Sequence, residues 1–426
     1  MPHWTRRTWL GAAAALGTAA CTHSDERTIR FWAMGREGEV AVELVAGFER
    51  ENPGARVRVE QLPWSAAHEK LLTAFAGDAT PDLAQMGNTW LPEMAALGAL
   101  EPLQPLIDAT PSIRPEDHFA GIWQTNRVGG VQVGMPWYVD TRLLFVRRDL
   151  LERVGFAQPP TDWAEWTRCM AALKAGPVAT PILLPTNEFE PLLALALQQD
   201  DTLLRDGGRR GNFGGTGFRT ALRFYLEMFA RGFAPGINNN QVANLWQEFG
   251  RGTFAFYISG PWNIGEFKRR LPPEQQSSWA TAPLPGPHGA GASIAGGASL
   301  VLFKRSRVKP LAWKLVEYLS RPAAQQQFYR LTGNLPPRRS TWALPGEGGL
   351  ALADDPHARA FAKQLERVKP APAVPEWERI AQEMQLFAAR AAHEKRDIDA
   401  TVRALDARVD SILEKRRWML DRAAAG

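Results

Sequence analysis

The sequence predicts an α/β protein with a largely parallel sheet, because strand and helix patterns alternate along its N-terminal quarter with short connections. Residues 28–32 and 57–60 alternate in the manner of strands. Between them, residues 37–51 carry apolar side chains at helical spacing and end at Asn52-Pro53-Gly54. The chain of 426 residues is long enough for two domains with well-buried cores.

The remaining elements follow in order along the chain. Helices are expected at 68–77, 91–100, 218–231, 310–319 and 397–420, and strands at 81–86, 253–258 and 299–304. In α/β sheets, ligands bind beyond the carboxyl ends of the strands, where loops converge. Met34-Gly35-Arg36-Glu37 and Gly87-Asn88-Thr89-Trp90 are two loops of this kind, and both are candidate binding loops.

Residues 1–20 have the layout of a bacterial export signal, in which Arg6 and Arg7 precede a short apolar stretch and then small residues. The apolar stretch is too short to span a bilayer as a permanent helix. The two arginines resemble a twin-arginine signal, and Cys21 resembles the acylated cysteine of a lipoprotein. A plain secretory signal with an incidental Cys21 is the alternative. We expect residues 1–20 to be removed, and the protein to lie in the periplasm or cell envelope, attached to the membrane through a lipid on Cys21.

Charge and cysteine usage exclude several classes of protein. Fifty Lys and Arg are interspersed with forty-five Asp and Glu, so the chain lacks the concentrated basic face that nucleic acids require. After the leader, no stretch approaches the ~20 apolar residues of a membrane span. Because Cys21 belongs to the export signal, Cys169 has no disulfide partner and is expected to be a buried, inert thiol.

The sequence offers no cofactor, metal or catalytic motif. Its histidines are scattered without the spacing of metal ligands. The glycine-rich residues 207–215 lack the ending of a phosphate loop and are expected to form a surface turn. Residues 291–295 lack the final glycine of a nucleophile elbow. Acidic pairs such as Glu188 and Glu190 keep glycoside hydrolysis open, because the distance between their carboxylates is unknown from sequence.

Short motifs spread over nearly the whole mature chain carry a resemblance. They are FERENPG at 48–54 before the strand at 57–59, AFAGDATPDL at 74–83, GALEPL at 98–103, GMPWYVDT at 134–141, ISGPW at 258–262, GGAS at 296–299 and GNLP at 333–336. Each motif is short, but their order along the chain is specific. The chain resembles the extracellular solute-binding proteins of ABC sugar importers, the family of maltose- and trehalose-binding proteins.

The resemblance implies a periplasmic-binding-protein-like fold, with two discontinuous α/β lobes, a hinge and a ligand cleft between the lobes. The N-terminal lobe would comprise 28–139 and 299–330, and the C-terminal lobe 140–298 and 331–426. A monomer of this family holds a sugar in the cleft and passes it to the permease subunits of the transporter, without altering it. Residues 31–35 and 262–267 resemble members of the trehalose and maltose type, which favours a disaccharide.

A sugar site needs polar groups for the hydroxyls and an aromatic ring for the apolar face of the sugar. The family's binding positions correspond here to Arg36, Glu37, Asn88, Thr89, Trp90, Tyr138, Asp140, Asn187, Glu188, Trp246, Trp262, Gly296, Gly297, Glu376 and Trp377. Trp262 and Trp377 match stacking residues, and Gly296 and Gly297 would let the backbone approach the ligand. Core packing is an equal alternative for Trp90 and Trp246.

Three further expectations complete the sequence-based hypothesis. Arg338 and Arg339 are expected at the surface, where the permease docks. An exported glycan-active enzyme that uses two of the carboxylates is the first alternative function. The second alternative keeps the fold but binds a polyamine, a phosphodiester or another small solute. The absence of a phosphate loop or a cluster of carboxylates in the sequence argues against this second alternative.

Overall fold

The computed structural model describes residues 27–346 and 351–425. The expected leader at 1–20 and Cys21 lie outside the described residues. Within the described ranges, none of the helices is both long enough and apolar enough to cross a bilayer.

Strands and helices alternate along the described chain. The strands are Thr28–Met34 (β1), Arg56–Leu62 (β2), Leu83–Gly87 (β3), Arg127–Val128 (β4), Val131–Gln132 (β5), Met135–Asp140 (β6), Leu143–Arg147 (β7), Ile182–Leu183 (β8), Leu204–Arg205 (β9), Arg210–Gly211 (β10), Phe256–Ser259 (β11), Trp279–Ala282 (β12), Pro285–Gly286 (β13), Gly289–Ala290 (β14), Ser293–Ile294 (β15), Gly296–Leu302 (β16) and Val368–Lys369 (β17). The helices are Gly35–Glu51 (α1), Trp64–Ala76 (α2), Leu91–Ala96 (α3), Gln104–Asp108 (α4), Ala120–Gln124 (α5), Arg148–Arg153 (α6), Trp163–Ala175 (α7), Glu190–Leu197 (α8), Thr216–Ala230 (α9), Leu245–Arg251 (α10), Trp262–Arg270 (α11), Lys309–Leu319 (α12), Pro322–Thr332 (α13), Arg339–Ala343 (α14), Pro356–Leu365 (α15), Trp377–Glu394 (α16), Ile398–Ile412 (α17) and Glu414–Ala425 (α18).

Two sheets organise these elements. The first has the strand order β2-β1-β3-β16-β6, and the second has the order β12-β7-β11-β8. We call the first sheet with the helices packed on it the N-terminal lobe, and the second sheet with its helices the C-terminal lobe. The α/β class expected from the sequence is confirmed.

Both sheets are mixed, which corrects the expectation of a largely parallel sheet. In the first sheet β1 runs parallel to β2 and β3, as the alternation of strands and helices predicts. Strand β16, however, is antiparallel to both β3 and β6. Strand β16 is antiparallel because the chain enters the sheet from the edge that faces the C-terminal lobe, and β16 lies between β3 and β6. The helix expected at 397–420 is likewise two helices, α17 and α18.

The chain passes between the lobes in three places. Strand β6 leads into β7 through Thr141 and Arg142, and β15 leads into β16 through Ala295. The third passage follows α13, where the backbone N–H of Val139 donates to the carbonyl of Leu335 over 2.9 Å. The cleft between the lobes is therefore bordered by the ends of β6 and β16.

Each lobe has its own buried core. In the N-terminal lobe, Phe31 and Trp137 pack together beneath α1 and α13. In the C-terminal lobe, Trp166 and Cys169 lie in a larger cluster beneath α7, α8 and α9. Cys169 is fully buried, and burial raises the pKa of its thiol to about 12, so the expected inert thiol is confirmed.

Candidate ligand-binding site

A chamber of about 1090 Å³ lies between the two lobes. Ten of the residues predicted from the sequence line it: Arg36, Glu37, Asn88, Thr89, Trp90, Tyr138, Asp140, Trp262, Gly296 and Gly297. Sequence analysis missed further lining residues: Trp64, Arg142, Phe189, Glu190, Leu193, Glu266, Arg269, Ile294, Arg330, Asn334 and Glu378. The structure thus brings one set of polar and aromatic side chains together from both lobes.

A buried chain of hydrogen bonds forms the N-terminal wall. The side chain of Gln85 accepts from the backbone N–H of Met34 over 2.7 Å and donates to the hydroxyl of Tyr138 over 3.2 Å. Glu37, in the first turn of α1, accepts from the Asn334 side chain over 2.7 Å. Burial, together with the charges of Glu37 and Asp140, raises the pKa of Tyr138 well above its ordinary value. The Tyr138 hydroxyl therefore stays protonated, and it hydrogen-bonds to the Glu37 side chain.

Aromatic rings form the lip of the same lobe. Trp64 and Trp90 meet edge to face, with ring centroids 5.6 Å apart. The His68 ring lies against Trp90 at 5.0 Å, and its Nε2 lies 2.7 Å from a carboxylate oxygen of Glu93. Trp64 opens α2 and is 37% exposed, so an apolar ring remains available at the mouth of the chamber.

A charged triad stands at the centre of the chamber, where β6 passes into β7. The Arg142 guanidinium donates to a carboxylate oxygen of Asp140, and to Oε1 of Glu190 over 2.9 Å. Burial opposes its charge, but Asp140 and Glu190 raise the pKa of Arg142 above its ordinary value. Burial raises the pKa of Asp140, although the charge of Arg142 acts in the opposite direction. A fixed guanidinium between two carboxylates can present both donors and acceptors to a ligand.

Trp262 contributes the indole of the C-terminal lobe. It is the first residue of α11 and follows the tight turn at Gly260 and Pro261. A Cβ on Gly260 would lie only 1.8 Å from the Trp262 ring, so glycine is required for the indole to fold back over this turn. The Arg142 guanidinium lies 4.8 Å from the centroid of the Trp262 ring, which holds the ring in place by a cation–π contact.

Gly296 and Gly297 line the chamber, but their lack of a side chain is needed for the close approach of their backbone to strand β6. A Cβ on Gly296 would lie 2.1 Å from the carbonyl oxygen of Asp140, and one on Gly297 would lie 2.2 Å from that of Tyr138. Gly297 also has a φ of +142°. These glycines allow β16 to pair closely with β6, which corrects the expected reason for their presence.

Five predicted site residues do not line the chamber: Asn187, Glu188, Trp246, Glu376 and Trp377. The Asn187 and Glu188 side chains accept hydrogen bonds from Asn239, behind the chamber wall. Trp246 donates to Asn263 over 3.2 Å and packs against Arg270.

The other two predicted residues precede the chamber-lining Glu378. Trp377 is completely buried in the core of the C-terminal lobe, and it is the first residue of α16. One Glu376 carboxylate oxygen is buried next to it. Glu378, the next residue in α16, is the one that faces the chamber.

The expected surface position of Arg338 is also wrong. Arg338 is buried, and its Nε donates to Asp117 over 2.8 Å. The same Asp117 accepts from the hydroxyl of Ser340 over 2.6 Å. This pair fixes the third interlobe passage, so Arg338 serves the hinge. Arg339 is exposed, as expected, and pairs with Glu366.

No group of three or more His, Cys, Asp or Glu side chains in the described parts of the chain is arranged to hold a metal ion. Asp140 and Glu190 face Arg142 instead, and Glu37 accepts from Asn334.

Comparison with known proteins gives one family over most of the chain. The model of the bacterial extracellular solute-binding proteins matches residues 34–326. The structure of the sugar-binding protein MalE from Xanthomonas citri is similar, with a TM-score of 0.88 and 56% identity, over 92% of this chain and 99% of that one. The maltodextrin-binding protein MdxE of Bacillus subtilis is 26% identical over 85% of this chain and 86% of its own length. A putative binding protein of Brucella abortus is 25% identical over 89% of this chain and 91% of its own.

Proposed function

The chain belongs to the bacterial extracellular solute-binding protein family, and on that premise we propose that it binds a neutral sugar between its lobes for an ABC importer. The observation that carries this proposal is the composition of the chamber walls. Trp90 and Trp262 bring apolar rings from different lobes, and Tyr138, Asp140 and Arg142 bring donors and acceptors. Sugars match this arrangement, because hydroxyls that both donate and accept surround partly apolar ring faces.

The charges of the chamber favour a neutral ligand. Arg142 is shared by Asp140 and Glu190, so neither sign is left as a concentrated cluster. At the mouth, Arg269 pairs with Glu266. A polyamine would need several unpaired carboxylates, and a phosphodiester would need unpaired cations or a backbone cradle. We therefore propose that a sugar is a better ligand for this chamber than a polyamine or a phosphodiester.

The sugar class rests on likeness to named proteins. The Xanthomonas citri protein is a sugar-binding MalE, and the Bacillus subtilis relative is named for maltodextrin. Together with the sequence likeness at 31–35 and 262–267, this supports an α-linked glucose disaccharide of the maltose or trehalose type.

Delivery depends on contacts that only the closed pair of lobes can make. A ligand that touches both walls stabilises the closed arrangement by its differential affinity for the two states. We propose that the permease recognises this closed monomer, and that the lobes comprise 28–139 with 299–330 and 140–298 with 331–426. Export through residues 1–20 and a lipid on Cys21 would keep the protein in the cell envelope.

We propose no chemical step on the sugar. If the protein were a glycosidase, Asp140 and Glu190 would be the candidate catalytic carboxylates, but both accept hydrogen bonds from Arg142. An acid and a nucleophile on opposite sides of a glycosidic bond would need different surroundings from one another. Release of reducing sugar from maltose would support the enzyme alternative, and we expect none.

Titration calorimetry tests the proposal. Maltose, trehalose and maltotriose are compared with putrescine and glycerophosphocholine, on the mature chain from residue 21. We expect a micromolar or tighter Kd for at least one disaccharide and no heat from the charged solutes. Binding should also shift tryptophan fluorescence, since Trp64, Trp90 and Trp262 line the chamber. Silence towards every sugar, or tight binding of a charged solute, would overturn the proposal.

A further inference from the structure

A second cavity, of about 620 Å³, adjoins the sugar chamber between the same two lobes. Polar side chains from both lobes line it, among them Gln124, Arg127, Gln199, Asp200, Lys369 and Arg416. Within residues 27–346 and 351–425, no tryptophan, tyrosine or phenylalanine lines it, although the sugar chamber has several such rings. Of the lining residues in these ranges, the two cavities share Asn88 and Thr89.

Asn88 and Thr89 belong to the short turn Asn88–Trp90, which follows β3 in the N-terminal lobe. The turn is held firmly, because Asn88 is almost completely buried and its Nδ2 donates to the carbonyl of Ala295 over 2.8 Å. Ala295 lies in the passage between the lobes. The shared border of the two cavities is therefore fixed from the hinge side and does not depend on a mobile loop.

The C-terminal lobe meets this turn with the first residues of α16. Helix α16 packs against the turn Asn88–Trp90, and the Glu378 carboxyl interacts with the side chain of Thr89. Val374, just before α16, lines the second cavity, whereas Glu378 lines the sugar chamber. The contact between Thr89 and Glu378 thus stands between the two spaces, and we call this pair the end wall.

One side of the end wall carries an unused acceptor. Oε1 of Glu378 is buried and, among the described residues, has no hydrogen-bond partner. Burial of an acceptor without a partner costs stability, which a ligand hydroxyl would offset. Because Glu378 lines the sugar chamber, a rotation of its carboxylate presents this acceptor to a sugar on that side.

We propose that Thr89 and Glu378 close one end of the sugar chamber, and that Glu378 accepts a hydrogen bond from the terminal ring of the bound sugar. The proposal rests on the proposed sugar-binding function and specifies which saccharides fit. A saccharide substituted or extended at the end that faces Glu378 is excluded by the wall. The second cavity then remains outside the sugar site of the native protein.

The test uses maltose and two derivatives, each blocked at one end. 4-Nitrophenyl α-maltoside is extended at the reducing end, and 4′,6′-O-benzylidene maltose is extended at the other. Titration calorimetry on the wild-type mature chain should show one of the two derivatives binding at least about 10-fold more weakly than maltose. In the double variant Thr89→Gly with Glu378→Ala, that derivative should bind within about threefold of maltose, since the second cavity can then receive the extension.

Two further variants separate the wall from the acceptor. Glu378→Gln keeps the volume of the side chain but weakens the acceptor, so maltose should bind about 10-fold more weakly while the blocked derivative stays excluded. Arg127→Ala is the matched control, because Arg127 lines the second cavity but not the sugar chamber, and its side chain donates to the nearby carbonyl of Gly130; both affinities should stay unchanged.

The outcomes distinguish the end wall from the proposed function. Equal binding of maltose and both derivatives by the wild type would overturn the end wall and leave sugar binding intact. A double variant that lowers all affinities by the same factor would also overturn it, because a general effect on lobe closure leaves the ratio unchanged. A wild type that binds neither maltose nor trehalose would contradict the proposed function itself.

Discussion

The two lobes supply their halves of the chamber in different ways. In the N-terminal lobe, most lining groups lie at strand ends, as Asp140 ends β6 and Asn88 directly follows β3. In the C-terminal lobe, they lie in the first turns of helices: Glu190 in α8, Trp262 in α11 and Glu378 in α16. Strand ends of one sheet meet because of topology, whereas a helix start turns its side chain by about 100° per residue. In the C-terminal lobe, a shift of one residue along a helix start therefore decides whether a side chain faces the chamber.

Replacement of the central guanidinium tests the largest difference between the lobes. Arg142→Met would leave Asp140 and Glu190 facing each other without the shared cation. Breaking such a buried pair from one side costs about 3 kcal/mol in free energy of unfolding, and the loss should grow as pH rises and the Asp140 carboxyl, whose pKa burial raises, ionises. Urea unfolding at pH 5 and pH 8 measures it.

Arg339→Met provides the matched control, because the pair of Arg339 and Glu366 is exposed on both sides. We expect a change in unfolding free energy below about 0.5 kcal/mol for this variant. Equal losses for the two variants would mean that the triad is no more than a surface ion pair, and that the C-terminal half of the chamber is not organised around it.

The difference between the lobes also explains what the sequence could predict. All nine residues chosen at the ends of β1, β3, β6 and at the start of β16 line the chamber, because alternating strands and helices bring these ends together. Of the six chosen away from these strand ends, only Trp262 does. Two of the others lie next to lining residues, since Glu188 is two residues before Glu190 and Trp377 is one residue before Glu378. Arg142 carried a signal that went unused, namely its place two residues after Asp140 at the passage between lobes.

The two tryptophans chosen for stacking in the C-terminal lobe offer the next test. Trp262 lines the chamber, whereas Trp377 is 0% exposed in the core. Trp262→Ala should weaken maltose binding about 100-fold, because it removes the indole plate held by Arg142. Trp377→Phe should lower the free energy of unfolding by about 1 to 2 kcal/mol and leave the affinity within about twofold. Calorimetry and urea unfolding of both variants decide; an affinity loss confined to Trp377→Phe would reverse the assignment.

Histidine gives a smaller contrast between the lobes, visible in acid. His68 of the N-terminal lobe is half-buried and has Glu93 as a partner. Among the described residues, the Nδ1 of His357 is buried without a hydrogen-bond partner, and its ring stacks on Trp279 at 3.7 Å. Burial lowers the pKa of His357 from 6.5 to about 4. Below pH 6.5 the His357 imidazole is protonated in the unfolded chain, whereas in the folded protein it stays neutral down to about pH 4. The free energy of unfolding therefore decreases as the pH falls from 6.5 to 4 and levels off below pH 4.

For His357 alone, this loss amounts to about 2 kcal/mol across that window, after allowance for partial exposure. His357→Phe should remove its share of the acid sensitivity while keeping the stack on Trp279, as measured by urea unfolding at half-unit steps of pH. His68→Phe serves as the comparison. If His357→Phe and wild type lose stability in parallel from pH 6.5 to 4, the buried neutral state of His357 is contradicted.

The smallest expected effect belongs to the aromatic lip of the N-terminal lobe. Trp64 meets Trp90 edge to face and is 37% exposed, so a bound sugar can bury only part of its ring. Trp64→Ala should therefore weaken maltose binding only about 3- to 10-fold, well below the effect of Trp262→Ala. Trp418→Ala, at a more exposed indole on α18 (57%), is the control and should leave affinity unchanged. A loss for Trp64→Ala as large as that for Trp262→Ala would show that the N-terminal lobe carries the main stacking plate. The strand ends of the N-terminal lobe would then supply most of the binding free energy, and the helix starts of the C-terminal lobe would only adjust it.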